Sequence, residues 1–114
     1  MARDLTVEGV VRSALPIAIL AALKPQATHG YALIELLSTQ GFSDVKGGTL
    51  YPILARLEQQ GLVRSAWDHS QSGPGRKMFT TTTEGDRLVD AATKAWQDMG
   101  QTLKNLSTLG VVQS

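Results

Sequence analysis

The sequence contains no cysteine, which removes disulfide frameworks, thiol chemistry and cysteine-ligated metals from consideration. Its two histidines, His29 and His69, are too few for a protein-built zinc site. No nucleophile–base pair, acid/base dyad or metal-ligand cluster can be read along the chain. Asp68 next to His69 in a polar loop is a commonplace neighbourhood, so neither an enzyme nor a cofactor is expected. Long hydrophobic runs are missing as well. The longest, Leu15 to Leu23, contains Pro16 and falls far short of the ~20 residues a membrane span needs. It also lacks the cleavage site of a signal peptide. A cytoplasmic, soluble protein without a membrane partner is the expectation.

Strong net charge is absent too: the balance is +1 over 114 residues. Its distribution says more than its sum. From Lys46 to Lys77 the cations are Lys46, Arg56, Arg64, Arg76 and Lys77, against Glu58 and Asp68 alone, and both flanking segments are slightly acidic. A basic middle between acidic ends suggests one charged face turned to a polyanion. An ordinary solvated surface produces the same imbalance.

What is present is one domain's worth of chain. A first helix is predicted over about Leu5 to Leu23, with Pro16 either bending it or opening its second half. Val10, Ala14, Ile17 and Ala21 recur at helical spacing there, with Leu15, Ile19 and Ala22 beside them. Lys24-Pro25 stops it. A second helix runs from Thr28 or His29 to Thr39, with Leu33, Ile34 and Leu37 inward and Gly41 at its end.

The third helix is the informative one. Leu50, Ile53, Leu54 and Leu57 follow i, i+3, i+4, i+7 and define one buried face. Pro52, Ala55, Arg56 and Gln59 point the other way, with Thr49 and Tyr51 on the flanks. Pro52 is read as a first-turn residue, which sets the start near Gly47 or Gly48. Gly61 ends the helix. Strands at Leu62–Trp67 and about Lys77–Thr81 enclose the turn-forming run Asp68 to Gly75. Thr82 or Thr83 caps a last helix that continues to Leu106 or Leu109. The fold class expected is mainly α with a small β-hairpin: a winged helix-turn-helix plus a C-terminal dimerisation helix. Its boundaries fall at 1–82, 83–109 and a tail at 110–114, with the N-terminal helix also in the dimer core.

A helix that reads the major groove buries one face and offers short or hydrogen-bonding side chains near its N-terminus. Gly47, Gly48 and Thr49 keep that end slim, and its free amides suit a phosphate oxygen. Thr49 and Tyr51 can donate to phosphate or touch bases, and Arg56 can pair with phosphate. Each has a plainer alternative: Thr49 as a cap, Tyr51 packed on the hairpin, Arg56 paired with Glu58 or solvent. Arg76 and Lys77 after Gly73-Pro74-Gly75 make a narrow cationic tip for the minor groove or the backbone. His29 and Tyr31 can meet phosphate at the start of the second helix, although a cap or a packing role suits His29 better. The DNA-contacting candidates are therefore His29, Tyr31, Lys46, Gly48, Thr49, Tyr51, Pro52, Arg56, Arg76 and Lys77.

In the last helix Ala92, Trp96, Met99, Leu103 and Leu106 alternate steps of four and three, the spacing of a coiled-coil seam. A small domain leaves such a seam little to cover, so a twofold homodimer is predicted. Trp96 is a large interface side chain on the plain reading. On the sharper one, two copies stack on a flat ligand, with Gly100 leaving room one turn later.

These residues resemble the PadR family of bacterial transcriptional regulators. The likeness rests on His29-Gly30-Tyr31, Gly48-Thr49-Leu50-Tyr51-Pro52, Arg56-Leu57-Glu58, Gly61-Leu62-Val63, Gly75-Arg76-Lys77 with Phe79, and Thr82 with Gly85. It covers about Ile17 to Leu88. The single helix that follows is similar to the short-tailed subfamily, which includes the multidrug-binding regulator of lactococci with its tryptophan pair at the dimer interface. The resemblance implies a homodimeric repressor on a pseudo-palindromic operator in double-stranded DNA. It also implies release by a small, mostly apolar or aromatic effector in a cavity lined by Val10, Ala14, Ile17, Ala92, Thr93, Trp96, Met99 and Gly100. Two departures stand out: the run Thr80 to Thr83, and a seam poor in acidic groups near Gly100, which argues against carrying over a preference for cationic drugs. The alternative is a winged-helix protein-interaction module without DNA binding.

Overall fold

A computed structural model of the chain describes residues 5–70 and 73–110. Gln71 and Ser72 of the hairpin loop lie outside the described residues. So do residues 1–4 of the first expected unit and 111–114 of the expected tail.

The apolar N-terminal stretch forms two helices, α1 (Val7–Ser13) and α2 (Leu15–Leu23). Pro16 is the reason: it lacks an amide hydrogen, and its ring would meet the carbonyl one turn earlier. The chain breaks at Ala14, whose amide bonds Val11 three residues back at 3.0 Å, and Pro16 then opens α2. Of the two readings of Pro16, bending one helix or opening its second half, the second holds, and the first half starts at Val7 rather than Leu5. They differ in kind. α2 buries Leu15, Ile19, Leu20 and Leu23, whereas α1 buries nothing.

Thr28–His29 forms a short strand, β1, which was not anticipated. It pairs antiparallel with β3 (Arg76–Thr81), which pairs in turn with β2 (Val63–Asp68), so the expected hairpin is two-thirds of a three-stranded sheet ordered β1-β3-β2. His29 then caps α3 (Gly30–Thr39), its Nδ1 accepting from the Ala32 amide at 3.3 Å. Helix α4 (Gly47–Gln59) buries Leu50, Leu54 and Leu57, with Ile53 packed at the margin. Its start is where the glycines put it, but Pro52 is the sixth helical residue and not a first-turn one. Proline there deprives the Gly48 carbonyl of a partner. The pyrrolidine ring is exposed, so water reaches that end of the helix.

These elements close one core, with Phe79 and Val63 of the sheet packed on Leu33, Leu37 and Leu50 of the helices. Thr82 then caps α5 (Thr83–Leu109), accepting from the Gly85 amide at 3.1 Å and donating to the Gly61 carbonyl at 2.6 Å. Gly85 lies so close to the Leu62 carbonyl that a Cβ would collide with backbone. Lys24 grips Asp90 at 2.7 Å and ties α2 to the same end of α5; that hydrogen bond holds the lysine pKa above its ordinary value. Beyond Val89, α5 leaves the core. A compact chain of this length has a radius of gyration of about 13 Å. The value here is 17.5 Å, with a longest extent of 71 Å, because the distal turns of α5 project away.

Candidate nucleic-acid interface

Helix α4 presents its N-terminus without a side-chain cap, since Lys46 contributes none. The first amides are therefore left pointing outward, where a helix attracts anions. Lys46, Gly48, Thr49, Pro52 and Arg56 are all exposed along this helix. Thr49 sits inside the first turn and does not cap it. Arg56 forms no ion pair among the described residues, and Glu58 instead accepts from the Ser65 hydroxyl at 2.7 Å. Thr49 is therefore not the cap, and Arg56 is open to solvent rather than paired with Glu58.

Tyr51 packs against two glycines at the starts of α3 and α4. Its ring crosses Gly30 so closely that a Cβ there would overlap the phenol, and it lies within contact distance of Gly47. Gly30 is thus the socket that lets Tyr51 bridge the starts of α3 and α4. Tyr31 stands beside it, largely exposed.

The wing completes the arrangement. Arg76 reaches from β3 to His29, Nη1 to Nε2 at 3.1 Å. Together His29, Gly30, Tyr31, Tyr51, Trp67, Arg76 and Lys77 line a surface cleft of about 570 Å³. Five of the ten DNA-contacting candidates converge there; the other five lie along α4. At the wing tip the His69 ring covers Gly75 and stacks on Trp67 with centroids 6.5 Å apart. Asp68 anchors the turn that follows, accepting from the Ser70 amide at 2.9 Å. Hydrogen bonding from Ser70 holds its carboxyl below the usual range.

Trp67 is the cleft residue that sequence reasoning passed over. The signal was available: alternation along β2 puts Val63, Ser65 and Trp67 on one face, and the last of them runs past the core.

The candidates for a ligand cavity are less assembled. Val10, Trp96 and Met99 share a shallow cavity of about 350 Å³ with Ala95, so α1 leans on the middle of α5 there. Ala14, Ile17, Ala92, Thr93 and Gly100 do not line it. Thr93 spends its hydroxyl on the Val89 carbonyl at 2.8 Å, and Gly100 faces open space. Along the seam, exposure rises from 45% at Trp96 to 76% at Leu109, through Met99, Leu103 and Leu106. Ala92 is half-buried against its own domain. Among the described residues no helix is long and apolar enough to cross a membrane, and no group of three metal-ligating side chains occurs.

Residues 19–91 match the sequence model of a family described as the transcriptional regulator PadR-like family. A transcriptional regulator of Mycobacterium tuberculosis, Rv3488, is 31% identical over 79% of this chain and 82% of its own. Among solved structures, a PadR family transcriptional regulator from Eggerthella lenta is similar at a TM-score of 0.81. It is 32% identical, over 91% of this chain and 90% of that one. A PadR-like transcriptional regulator from Bacillus cereus is similar at 0.78, with 26% identity over 90% and 99% of the two chains.

Proposed function

The chain belongs to the PadR-like family of transcriptional regulators, DNA-binding proteins of bacteria, and on that premise we propose that it is a homodimeric repressor released by a small aromatic or mostly apolar effector. The observation that carries the DNA-contacting part is the convergence of His29, Tyr31, Tyr51, Arg76 and Lys77 on one cleft beside the open N-terminus of α4. In this reading α4 enters the major groove with Thr49 and Tyr51 foremost. Lys46 and Arg56 take phosphates on either side, and Arg76 and Lys77 bring the wing to the backbone or the minor groove. Residues 1–82 are the DNA-reading unit and residues 83–109 the dimerisation helix.

The dimer is supported by the apolar stripe from Trp96 to Leu106, whose large side chains stay 45–64% exposed among the described residues. Pairing it with a second copy brings both Val10/Trp96/Met99 cavities to one interface, where a flat effector is held between two indoles. A route from that site to the DNA is short. Val10 lies two residues before Arg12, Arg12 pairs with Asp44, and Asp44 lies two residues before Lys46 at the head of α4.

The test is capture of sheared genomic DNA by the purified protein, with and without planar aromatic compounds. Retained fragments should share half-sites about one or two helical turns apart. Charge reversal at Arg76→Glu with Lys77→Glu should abolish retention, and unchanged retention sinks the role of the wing. Tryptophan quenching by the compounds should disappear in Trp96→Ala; quenching that persists points away from the seam.

A further inference from the structure

The cleft between the helices and the wing contains a hydrogen-bonding mismatch. His29 Nδ1 accepts from the Ala32 amide, and its Nε2 lies 3.1 Å from Arg76 Nη1, which can only donate. A neutral imidazole has one nitrogen with a free lone pair, so it cannot accept on both sides. The Ala32 amide is partly buried in the first turn of α3 with the imidazole as its cap, whereas Arg76 is exposed and free to turn. Keeping the cap puts the hydrogen on Nε2. Two donors then face each other with no acceptor between them.

One oxygen placed between them can accept from both. The rest of the cleft says what carries it. Trp67 stands 63% exposed on the helix-facing side of the wing, braced by His69. Lys77, its cross-strand partner, adds a second cation. A wall that sets an exposed indole beside two cations fits an amphiphilic unit with an anionic oxygen.

We propose that this cleft seats one sugar–phosphate unit of duplex DNA, its phosphate oxygen shared by His29 Nε2–H and Arg76 and its deoxyribose laid against the Trp67 indole. Trp67 thereby becomes a DNA-contacting residue. The assignment rests on the DNA-binding reading above and is independent of base sequence, since both contacts are to the backbone.

The experiment uses the wild-type chain and a mixed-sequence duplex at low salt, where backbone contacts suffice for binding. The two indole N–H resonances are assigned with Trp67→Phe. On saturation the Trp67 indole should shift, and its relaxation by a neutral gadolinium chelate should fall about twofold, because a sugar in contact covers one of the two ring faces. Trp67→Thr, which keeps strand propensity, should weaken duplex binding about tenfold, the order that covering about 50 Å² of apolar indole surface contributes. The slope of log affinity against log salt should not change in that variant. In Arg76→Gln the slope should fall by about one phosphate contact. Duplex binding with an unshielded Trp67, or with full affinity in Trp67→Thr, overturns this assignment alone. No binding in fluorescence anisotropy overturns it together with the DNA reading.

Discussion

Replacing Leu103 with aspartate is the sharpest test of the proposed dimer. Leu103 is 58% exposed and belongs to no part of the protomer's core, so the substitution removes nothing that holds the fold together. Fully burying a leucine contributes about 1.5–3 kcal/mol. With somewhat more than half of its surface available to a partner, the side chain offers about 1–2 kcal/mol. A twofold interface repeats the change, so the loss doubles to about 2–4 kcal/mol before any cost of burying carboxylates. At about 1.4 kcal/mol per factor of ten, dissociation should rise between about thirty-fold and a thousand-fold. Sedimentation equilibrium across nanomolar to micromolar concentrations reads this directly. Circular dichroism should show a modest loss of helix on dissociation, because a projecting helix without tertiary support frays. Leu103→Met should behave as the parent. A Leu103→Asp protein that stays as dimeric as the parent would refute the seam, wherever else the copies touch.

Two glycines should respond to alanine in opposite ways. Gly85→Ala drives a Cβ into the Leu62 carbonyl, which is backbone and cannot step aside, so the thermal midpoint should drop with a loss of a few kcal/mol. Gly30→Ala meets only the Tyr51 ring, whose outer end can swing away. Stability should stay within about 1 kcal/mol while operator affinity falls, and equal destabilisation of both variants would contradict the packing described. Arg12→Ala and Asp44→Ala cut the tie between α1 and the loop before α4. An exposed ion pair is weak, so DNA affinity alone should change little, while the effector's influence on it should shrink by up to about fivefold. An undiminished effector response in both variants removes this pair from the route. The Asp68 carboxyl, held low by Ser70, contributes to the wing turn above the ordinary aspartate pKa and loses that contribution as pH falls through its own lower one. The Ser70 amide resonance should therefore titrate below the range of a free aspartate, and a midpoint within that range would show the turn to be idle.

Much of the fold was legible because the residues that fix it act locally. The Leu50/Ile53/Leu54/Leu57 stripe could bury only one face of a helix. Gly41 and Gly61 stop their helices with φ values of 96° and 77°, conformations that other residues avoid. Thr82 caps α5 as a threonine before a helical run should. What stayed hidden depends on partners distant in sequence. Two residues, Thr28 and His29, make no periodicity; they are a strand only because β3 runs alongside them. The misplacement of Pro52 has a different origin: propensity argues against proline in a helix interior, and burial of Leu50, Leu54 and Leu57 outweighs one lost hydrogen bond. The cleft followed the same division. Its cations and tyrosines stood out as residue types, while Trp67 needed the register of β2 against β3 to reveal which way it faced. Arg12 and Asp44 carried no signal at all, being two ordinary charges 32 positions apart that meet only in the fold.

The apolar residues divide at Val89, and that division shapes how a signal would travel. The buried cluster runs from Leu15 to Val89, so α4 and the sheet stand on a core that each protomer builds alone. After Val89 the stripe along α5 is exposed, and α1, which buries nothing, lies against it through Val10. On the proposed reading this second half acquires a buried core only in the dimer. An effector between the two Trp96 rings then acts on the least constrained part of the molecule, where a modest binding energy can move a helix. Direct transmission through the core would require close-packed side chains such as Leu50 and Leu54 to shift, which is costly. Moving α1 requires none of that. Its ion pair to Asp44 ends beside Lys46, so a displacement of α1 reaches the head of α4 by way of the loop and leaves the buried face of that helix untouched.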